Sequence, residues 1–149
     1  MLLLKRQITS IEEDWNGRKP NQNFACICDP ILFGTNSYLQ KQYDIDKKLS
    51  KLWSENGSLT AGETYLIDNI YCLALPRLSD PRLYRKYIRT AVEDLRVQMR
   101  MLLHNHIIVY VESCYPECRY NHLFIDYLGN AITKVFKDDE VTVEICWEQ

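Results

Sequence analysis

Residues 79–112 read SDPRLYRKYIRTAVEDLRVQMRMLLHNHIIVYVE, and the fold of the chain is built around this stretch. Asp80 is a suitable N-cap, and Pro81 fits the first helical position, where a missing N–H costs nothing. Apolar residues then recur at spacings of three and four, which is the pattern of one buried helical face. The pattern changes at the β-branched run Ile107–Val111, which is typical of a buried strand. The stretch therefore predicts a long amphipathic helix that leads directly into a strand.

The residues before this stretch predict three further helices and one short strand. Ser10 and Glu13 have the spacing of a capping box, which predicts a short helix after Ser10. Residues 24–28 form a brief apolar run that predicts a strand. Residues 36–55 place apolar side chains on one helical face, and residues 60–74 follow a second capping-box pattern. We therefore predict a second and a third helix over these two ranges.

The carboxyl-terminal third predicts a meander of strands. Gly129-Asn130 suits a two-residue hairpin turn, in which both residues need a positive φ. The apolar residues after position 141 alternate with polar ones, as in a strand with one buried face. The predicted fold class is α+β, one domain over residues 1–149. In this prediction about three to four helices in the first two thirds of the chain pack on a mainly antiparallel sheet, with strands near 107–112, 122–128, 131–137 and 141–147.

Composition and charge limit the function classes. Hydrophobic residues make up 46% of the 149 residues, and the formal net charge is -2, so we expect no bulk attraction to nucleic acid or to anionic membranes. The apolar run Met1–Leu4 is too short for a signal peptide or a membrane span. Six cysteines in such a chain indicate free thiols or metal ligands of a reducing compartment. The sequence thus predicts a cytoplasmic, intracellular or virion-associated protein that is not secreted and contacts no membrane.

The strongest candidate for a metal site is a turn rich in cysteine. Cys114 and Cys118 flank Pro116, and His122 follows, which brings together the thiolate and imidazole ligands that zinc prefers. Three residues separate the two cysteines where zinc knuckles usually have two, and no second matched pair follows. The alternative is that these cysteines are buried, unreactive thiols. The sequence predicts no cofactor other than this zinc ion, and no catalytic residue.

A row of arginines marks the exposed face of the long helix. Arginine binds phosphate and carboxylate groups with a planar fork, so its predominance over lysine indicates specific pairing. The acidic segment that begins at Asp138 offers a matching surface on another copy of the chain or on a larger complex. We predict that the partner-binding residues are Arg82, Arg85, Arg89, Arg96 and Arg100.

Three functional hypotheses follow. The first is a structural or interaction subunit without enzymatic activity, such as a virion or tail component, an adaptor or an immunity protein. It is favoured because the chain has five glycines and no glycine-rich phosphate loop or nucleophile motif. The second is a nucleic-acid-associated protein that uses the basic helix face. The third is a small enzyme that depends on a cysteine or a metal, which would require an activated thiol or a bound ion.

Overall fold

The computed structural model describes residues 1–18, 22–33, 38–76, 81–112 and 121–148. Within these ranges the chain forms six strands and five helices, in the order β1 (Leu2–Ile8), α1 (Ile11–Asn16), β2 (Asn23–Cys28), α2 (Tyr38–Tyr43), α3 (Ile45–Asn56), β3 (Thr64–Ile67), β4 (Ile70–Ala74), α4 (Pro81–Met101), β5 (His106–Val111), α5 (Asn121–Val135) and β6 (Thr142–Glu148).

The strands form one six-stranded mixed sheet in the order β1-β6-β5-β2-β4-β3. The first five strands of this order are parallel, and only β3 of the described strands runs antiparallel to its neighbour. The prediction of a mainly antiparallel carboxyl-terminal sheet is therefore wrong. The strands predicted near 107–112 and 141–147 do exist as β5 and β6, but a helix connects them and they run parallel.

The hairpin predicted over 122–128 and 131–137 is wrong, because these residues form helix α5. Gly129 lies inside the helix, where a Cβ would come within 3.0 Å of the Lys5 Cε atom on β1. Gly129 therefore lies in a helix that packs close to β1, and not in a turn. The apolar residues also fit a helical spacing, and the buried ones on the inner face are Phe124, Ile125, Leu128, Ala131 and Ile132.

The third predicted helix is also wrong, because residues 64–74 form the hairpin of β3 and β4. Its turn contains Asp68 at a φ of 54°, and the strands carry the aromatic and β-branched residues that favour sheets. The second predicted helix, 36–55, is divided into α2 and α3 at Asp44, which has a φ of 52°. A short apolar segment fits both the helical and the strand spacing of buried residues, so tertiary packing decides between helix and strand.

Two local predictions are confirmed. The Ser10 Oγ atom accepts a hydrogen bond from the Glu13 N–H at 3.0 Å, so Ser10 is the N-cap of α1, as the sequence predicts. Helix α4 begins at Pro81 and buries Ile88, Val92 and Leu95. The predicted N-cap of α4, Asp80, lies outside the described residues.

Helices cover both faces of the sheet. Helices α4 and α5 pack against each other on one face, α4 next to β3 and β4 and α5 next to β1 and β6. Helices α1, α2 and α3 contribute to a second core on the opposite face. The seam between α4 and α5 therefore runs over the central strands β2 and β5. Among the described residues, no helix combines the length and the apolar character that a membrane crossing requires.

Candidate functional site

The strand order locates a crevice at the carboxyl ends of β2 and β5. The chain leaves β2 through α2 and α3 on one face of the sheet, and it leaves β5 through α5 on the other face. Because β2 and β5 are neighbours, the two connections diverge at this point. Ligands of open α/β sheets bind in the crevice where the connections diverge. The candidate site is therefore formed around the residues that follow Cys28 and Val111.

A rigid turn follows β2 at this crevice. The Asp29 carboxylate accepts hydrogen bonds from the N–H groups of Ile31 at 2.8 Å and Leu32 at 2.9 Å. Asp29 and Phe33 also exchange two backbone hydrogen bonds, at 2.9 and 2.7 Å, and Phe33 has a φ of 59°. These bonds hold the turn so that Ile31 and Leu32 remain 69% and 52% exposed. This segment, the Asp29 turn, presents two apolar side chains at the carboxyl edge of the sheet.

Two glutamates at the same edge cap helices. Glu112 follows β5, and its Oε2 atom accepts a hydrogen bond from the Tyr38 N–H of α2 at 3.0 Å. Glu148 ends β6, and its Oε1 atom accepts from the Ile11 N–H of α1 at 2.9 Å. Carboxylates stabilise helix N-termini because they complement the helix dipole and the unpaired N–H groups. Together with the buried Asp29, these side chains place three acids at the carboxyl edge of the sheet.

Sequence reasoning missed these three acids. The available signal was an acidic residue directly after, or at the end of, three of the apolar strands, β2, β5 and β6. The segments that come next, 34–37 (GTNS) and 113–120 (SCYPECRY), lie outside the described residues.

A network of ionic groups fixes α1 against the sheet below the crevice. The Glu144 carboxylate lies on β6 with its side chain 7% exposed. It contacts the Arg18 Nη1 atom at 3.0 Å and the His106 Nε2 atom at 2.9 Å. Asp14 of α1 pairs with Arg18 at 3.1 Å and accepts a hydrogen bond from the Tyr110 hydroxyl at 2.6 Å. Burial of a carboxylate is tolerated here because each charge has a partner.

The network shifts the pKa values of its members. Burial raises the pKa of Glu144, but the hydrogen bond from His106 and the charge of Arg18 outweigh it, so the net pKa lies below the usual range. Burial and the hydrogen bond to Asp14 raise the pKa of Tyr110 well above its usual range. At neutral pH Glu144 is therefore ionised and Tyr110 is neutral, as stable pairing requires.

The described cysteines are poorly suited to nucleophilic catalysis. Cys26, Cys28, Cys72 and Cys146 are all buried. Burial raises the pKa of Cys28, and it raises the pKa of Cys146 to about 11. Because the thiolate is the reactive form, these four thiols are unreactive at neutral pH.

The predicted arginine row divides into two parts. Arg96 and Arg100 both bind the buried Asp139 carboxylate, at 2.8 Å and 2.7 Å, so they join α4 to the segment between α5 and β6. The hydrogen bond from Arg96 lowers the pKa of Asp139, and the net value is about 2. Arg89 pairs with the exposed Glu93 on its own helix.

The other two predicted arginines lie nearer the start of α4. Arg85 lies over the Tyr127 ring of α5, and Arg82 is exposed. The prediction that the five arginines bind a partner stays a prediction.

No metal centre is found in the part of the chain that the structure describes, since no group of three His, Cys, Asp or Glu side chains lies close enough to hold an ion. Cys114 and Cys118 lie outside the described residues, as does the side chain of His122. The zinc site predicted at these three residues therefore stays a prediction.

Two grooves lie at the opposite edge of the sheet, where the parallel strands begin. Their volumes are about 510 and 420 Å³, and both are lined by Asn105, Glu140 and Val141. Because ligands of open α/β sheets bind at the carboxyl ends of the strands, the candidate site remains at β2 and β5.

Known proteins of similar fold were found through the structure alone. No protein family and no curated protein matches the sequence. A mutant of the Oceanobacillus iheyensis macrodomain is similar at a TM-score of 0.66 and 14% identity, over 88% of this chain and 79% of that chain. Another mutant of that macrodomain, in a structure with ADPR, has a TM-score of 0.62 and 15% identity, over 87% and 79%. The macrodomain of Thermus aquaticus DarG has a TM-score of 0.58 and 14% identity, over 97% of both chains.

These similarities correct the functional prediction. The sequence predicts a structural subunit that assembles with itself or with a larger complex. The solved structures of similar architecture are macrodomains instead, and one of them is a structure with ADPR. The predictions of a structural subunit, of an oligomer and of a partner in self-assembly are therefore wrong. A six-stranded mixed sheet with helices on both faces gives this chain the macrodomain fold.

Proposed function

We propose that the chain binds a nucleotide of the ADP-ribose class in the crevice between the carboxyl ends of β2 and β5. The observation that carries the proposal is the strand order, which makes β2 and β5 the neighbours whose connections diverge. A macrodomain of the same fold in a structure with ADPR supports the choice of ligand class.

The acidic rim fits the ribose groups of such a ligand. Ribose hydroxyls are hydrogen-bond donors, and a carboxylate such as that of Glu112 is an acceptor, as in dinucleotide sites where an acid binds the ribose. The phosphates need N–H donors or cations instead, because a carboxylate repels them. We therefore expect the ribose groups, and not the phosphates, to lie against the acidic side chains of the crevice.

Isothermal titration calorimetry with ADP-ribose tests the proposal, with ADP, AMP and ribose 5-phosphate as comparison ligands. We expect saturable binding that weakens as the ligand loses its second ribose and its phosphates. In a heteronuclear NMR titration, the amide resonances of residues 29–33 and of Glu112 should shift, while that of Asn105 at the opposite edge should not. Absence of binding at millimolar ADP-ribose would contradict the proposal.

A matched pair of substitutions tests the location. Ile31→Glu adds a carboxylate to the exposed position on the Asp29 turn, and Met101→Glu adds the same charge to an exposed position at the end of α4. Repulsion between the added carboxylate and the ligand phosphates should weaken ADP-ribose binding about fivefold or more for Ile31→Glu. Met101→Glu should bind within about twofold of the unmodified chain. Equal effects of both substitutions would place the ligand elsewhere.

The zinc ion predicted at Cys114, Cys118 and His122 is a separate proposal. Native mass spectrometry of the chain purified without chelator tests it, since a bound zinc ion adds its mass to the folded protein.

A further inference from the structure

A histidine at the start of β5 is held by a buried carboxylate. The His106 Nε2 atom lies 2.9 Å from the Glu144 Oε2 atom. Arg18 and Arg6 contact the same carboxylate at 3.0 and 3.4 Å, so its position is fixed from three sides. The pKa of Glu144 is lowered, so the carboxylate is ionised at neutral pH and accepts the Nε2–H of the imidazole. In the neutral imidazole the other ring nitrogen, Nδ1, is therefore a hydrogen-bond acceptor whose orientation the carboxylate fixes.

The ring of His106 opens into the larger groove at the edge where the parallel strands begin. This groove, the His106 groove, has a volume of about 510 Å³, which is in the range of small-molecule sites. The His106 side chain is 41% exposed. Its Nδ1 atom makes no hydrogen bond to another residue in the part of the chain that the structure describes. The groove therefore contains an oriented acceptor that the fold itself does not use.

The sheet holds the walls of the groove in place. His106 and Leu2 are both in register with Thr142, so the three side chains form one row across β5, β6 and β1. The Thr142 N–H donates to the Asn105 carbonyl, and the Leu2 N–H donates to the Val141 carbonyl, both at 2.9 Å. Because backbone hydrogen bonds fix these residues, the groove exists before a ligand arrives and binding costs little ordering entropy.

The groups that line the groove select for a cation with an apolar chain. The Glu140 carboxylate lines it, is exposed and forms no ion pair with any described residue. Among the described residues, no Lys or Arg side chain lines the groove. Its apolar wall includes Val141 and Leu2, and Leu2 is 54% exposed. An anion would therefore be repelled, whereas a cation with N–H donors and a hydrocarbon chain would use both the acceptors and the wall.

We propose that the His106 groove binds a primary alkylammonium group. Its N–H groups donate to the His106 Nδ1 atom and to the Glu140 carboxylate, and its chain lies against Leu2 and Val141. A quaternary ammonium ion has the charge without an N–H donor, and an alcohol has a donor without the charge, so neither meets both requirements. The groove and the nucleotide crevice lie at opposite edges of the sheet, so this proposal does not depend on ADP-ribose binding.

A heteronuclear NMR titration of the full chain with pentylamine tests the proposal. We expect saturable shifts of the Asn105, His106 and Thr142 amide resonances in the millimolar range, while that of Ile31 at the carboxyl edge stays unchanged. Pentan-1-ol and tetramethylammonium should each bind about tenfold more weakly or worse, because each lacks one of the two interactions. Absence of saturable shifts at about 50 mM pentylamine, or equal affinity for the three ligands, would overturn the proposal.

The ring nitrogens of His106 give a direct readout. A long-range proton–nitrogen correlation spectrum of the neutral ring should show the proton on Nε2, and the Nδ1 resonance should shift when pentylamine is added. A neutral ring with its proton on Nδ1, or an Nδ1 resonance that the amine leaves unchanged, would contradict the assigned role.

Matched variants test the location. Glu140→Gln removes the carboxylate of the groove, and Glu55→Gln removes an exposed carboxylate at the end of α3. The first should weaken pentylamine binding about fivefold, and the second should leave it unchanged. His106→Phe keeps a ring but removes Nδ1, and it should weaken binding about tenfold. Equal losses for the two glutamate variants would show unspecific attraction and would overturn the proposal.

The ammonium group has two sources, a free amine or a lysine side chain. Nα-acetyl-lysine methylamide carries the same group on a peptide unit, and it serves as the second ligand of the titration. Binding of either ligand at the His106 resonances supports the proposal, and the tighter of the two identifies the source. Binding of neither would overturn it.

Discussion

Replacement of Asp139 by asparagine should weaken the attachment of α4 to the segment between α5 and β6 and so destabilise the fold. The Asp139 side chain is 7% exposed and binds the Arg96 Nε and Nη2 atoms at 2.8 and 3.0 Å and the Arg100 Nη2 atom at 2.7 Å. Asp139→Asn keeps the shape of the side chain and removes its charge. Two cations of α4 then lose the carboxylate that neutralises them, and the hydrogen bonds to a charged acceptor become weaker.

The size of the effect follows from the pKa of Asp139. Its pKa falls from 3.8 to about 2 because of the hydrogen bonds and charges of Arg96 and Arg100. Since one pKa unit corresponds to about 1.4 kcal/mol, the ionised carboxylate stabilises the fold by about 2 kcal/mol at pH 7. For a chain of this length, that loss should lower the melting temperature by about 4 to 8 °C.

The pH dependence gives the sharper test. The folded pKa is lower than the unfolded one, so the stabilisation is complete above about pH 5 and disappears as the pH falls toward 2. Urea unfolding should therefore show a difference between the two proteins of about 2 kcal/mol at pH 7 and about 1 kcal/mol at pH 3. Asp138→Asn, at the exposed neighbouring position, should change stability by less than about 0.5 kcal/mol at either pH. A difference for Asp139→Asn that is absent at pH 7, or equally large at pH 3, would refute the reasoning.

Three further predictions concern the core and the network around α1. Glu144→Gln should destabilise the fold by about 2 kcal/mol in urea unfolding at pH 7, because Arg18 keeps its buried position with one carboxylate fewer. Since the pKa of Glu144 is lowered in the fold, this difference should shrink as the pH falls below about 4.5, and a constant difference would contradict the assignment. Gly129→Ala should raise stability by about 0.5 kcal/mol in thermal unfolding, because the atom it meets is the flexible end of Lys5 and helix propensity improves; a loss would mean that Lys5 cannot move. With a thiol-specific chromogenic reagent, at most two of the six thiols should react rapidly in the folded chain, because four are buried, and three fast thiols would disprove the packing.

Local sequence signals predicted the elements whose evidence lies within one segment. Helix α4 was predictable from Pro81 and its apolar spacing, and α1 from the Ser10 capping box, because caps and periodicity are properties of neighbouring residues. Helix α5 was not predictable in this way, since its apolar residues fit both periods and Gly129-Asn130 suggests a hairpin. The helix is favoured because its apolar face is buried against β1 and β6, and a short stretch of sequence carries no information about these distant strands.

The parallel strand order and the position of the crevice could not be predicted from local sequence patterns either, because both depend on contacts between distant segments. Asp29 and Glu112 come together only because β2 and β5 are neighbours, and that pairing depends on which crossovers the whole chain makes. In the sequence, Asp29-Pro30 is simply the end of a strand. The acids at the ends of β2, β5 and β6 become informative once the strands are known to be parallel, since their carboxyl ends then share one edge.

Many of the acids in the carboxyl-terminal segment pair with basic groups or helix ends of the same chain. The acidic carboxyl-terminal segment matches the basic helix, as the sequence suggested, but the match lies inside one chain. Asp139 binds Arg96 and Arg100, Glu144 binds Arg18, and Glu148 caps α1. Because these acids stabilise the fold, they are not available to attract a second copy. In the first half of α4, Arg89 pairs instead with the exposed Glu93, and Arg85 lies over the Tyr127 ring. Most of the attraction between the acidic carboxyl-terminal segment and the basic helix is therefore used within one fold.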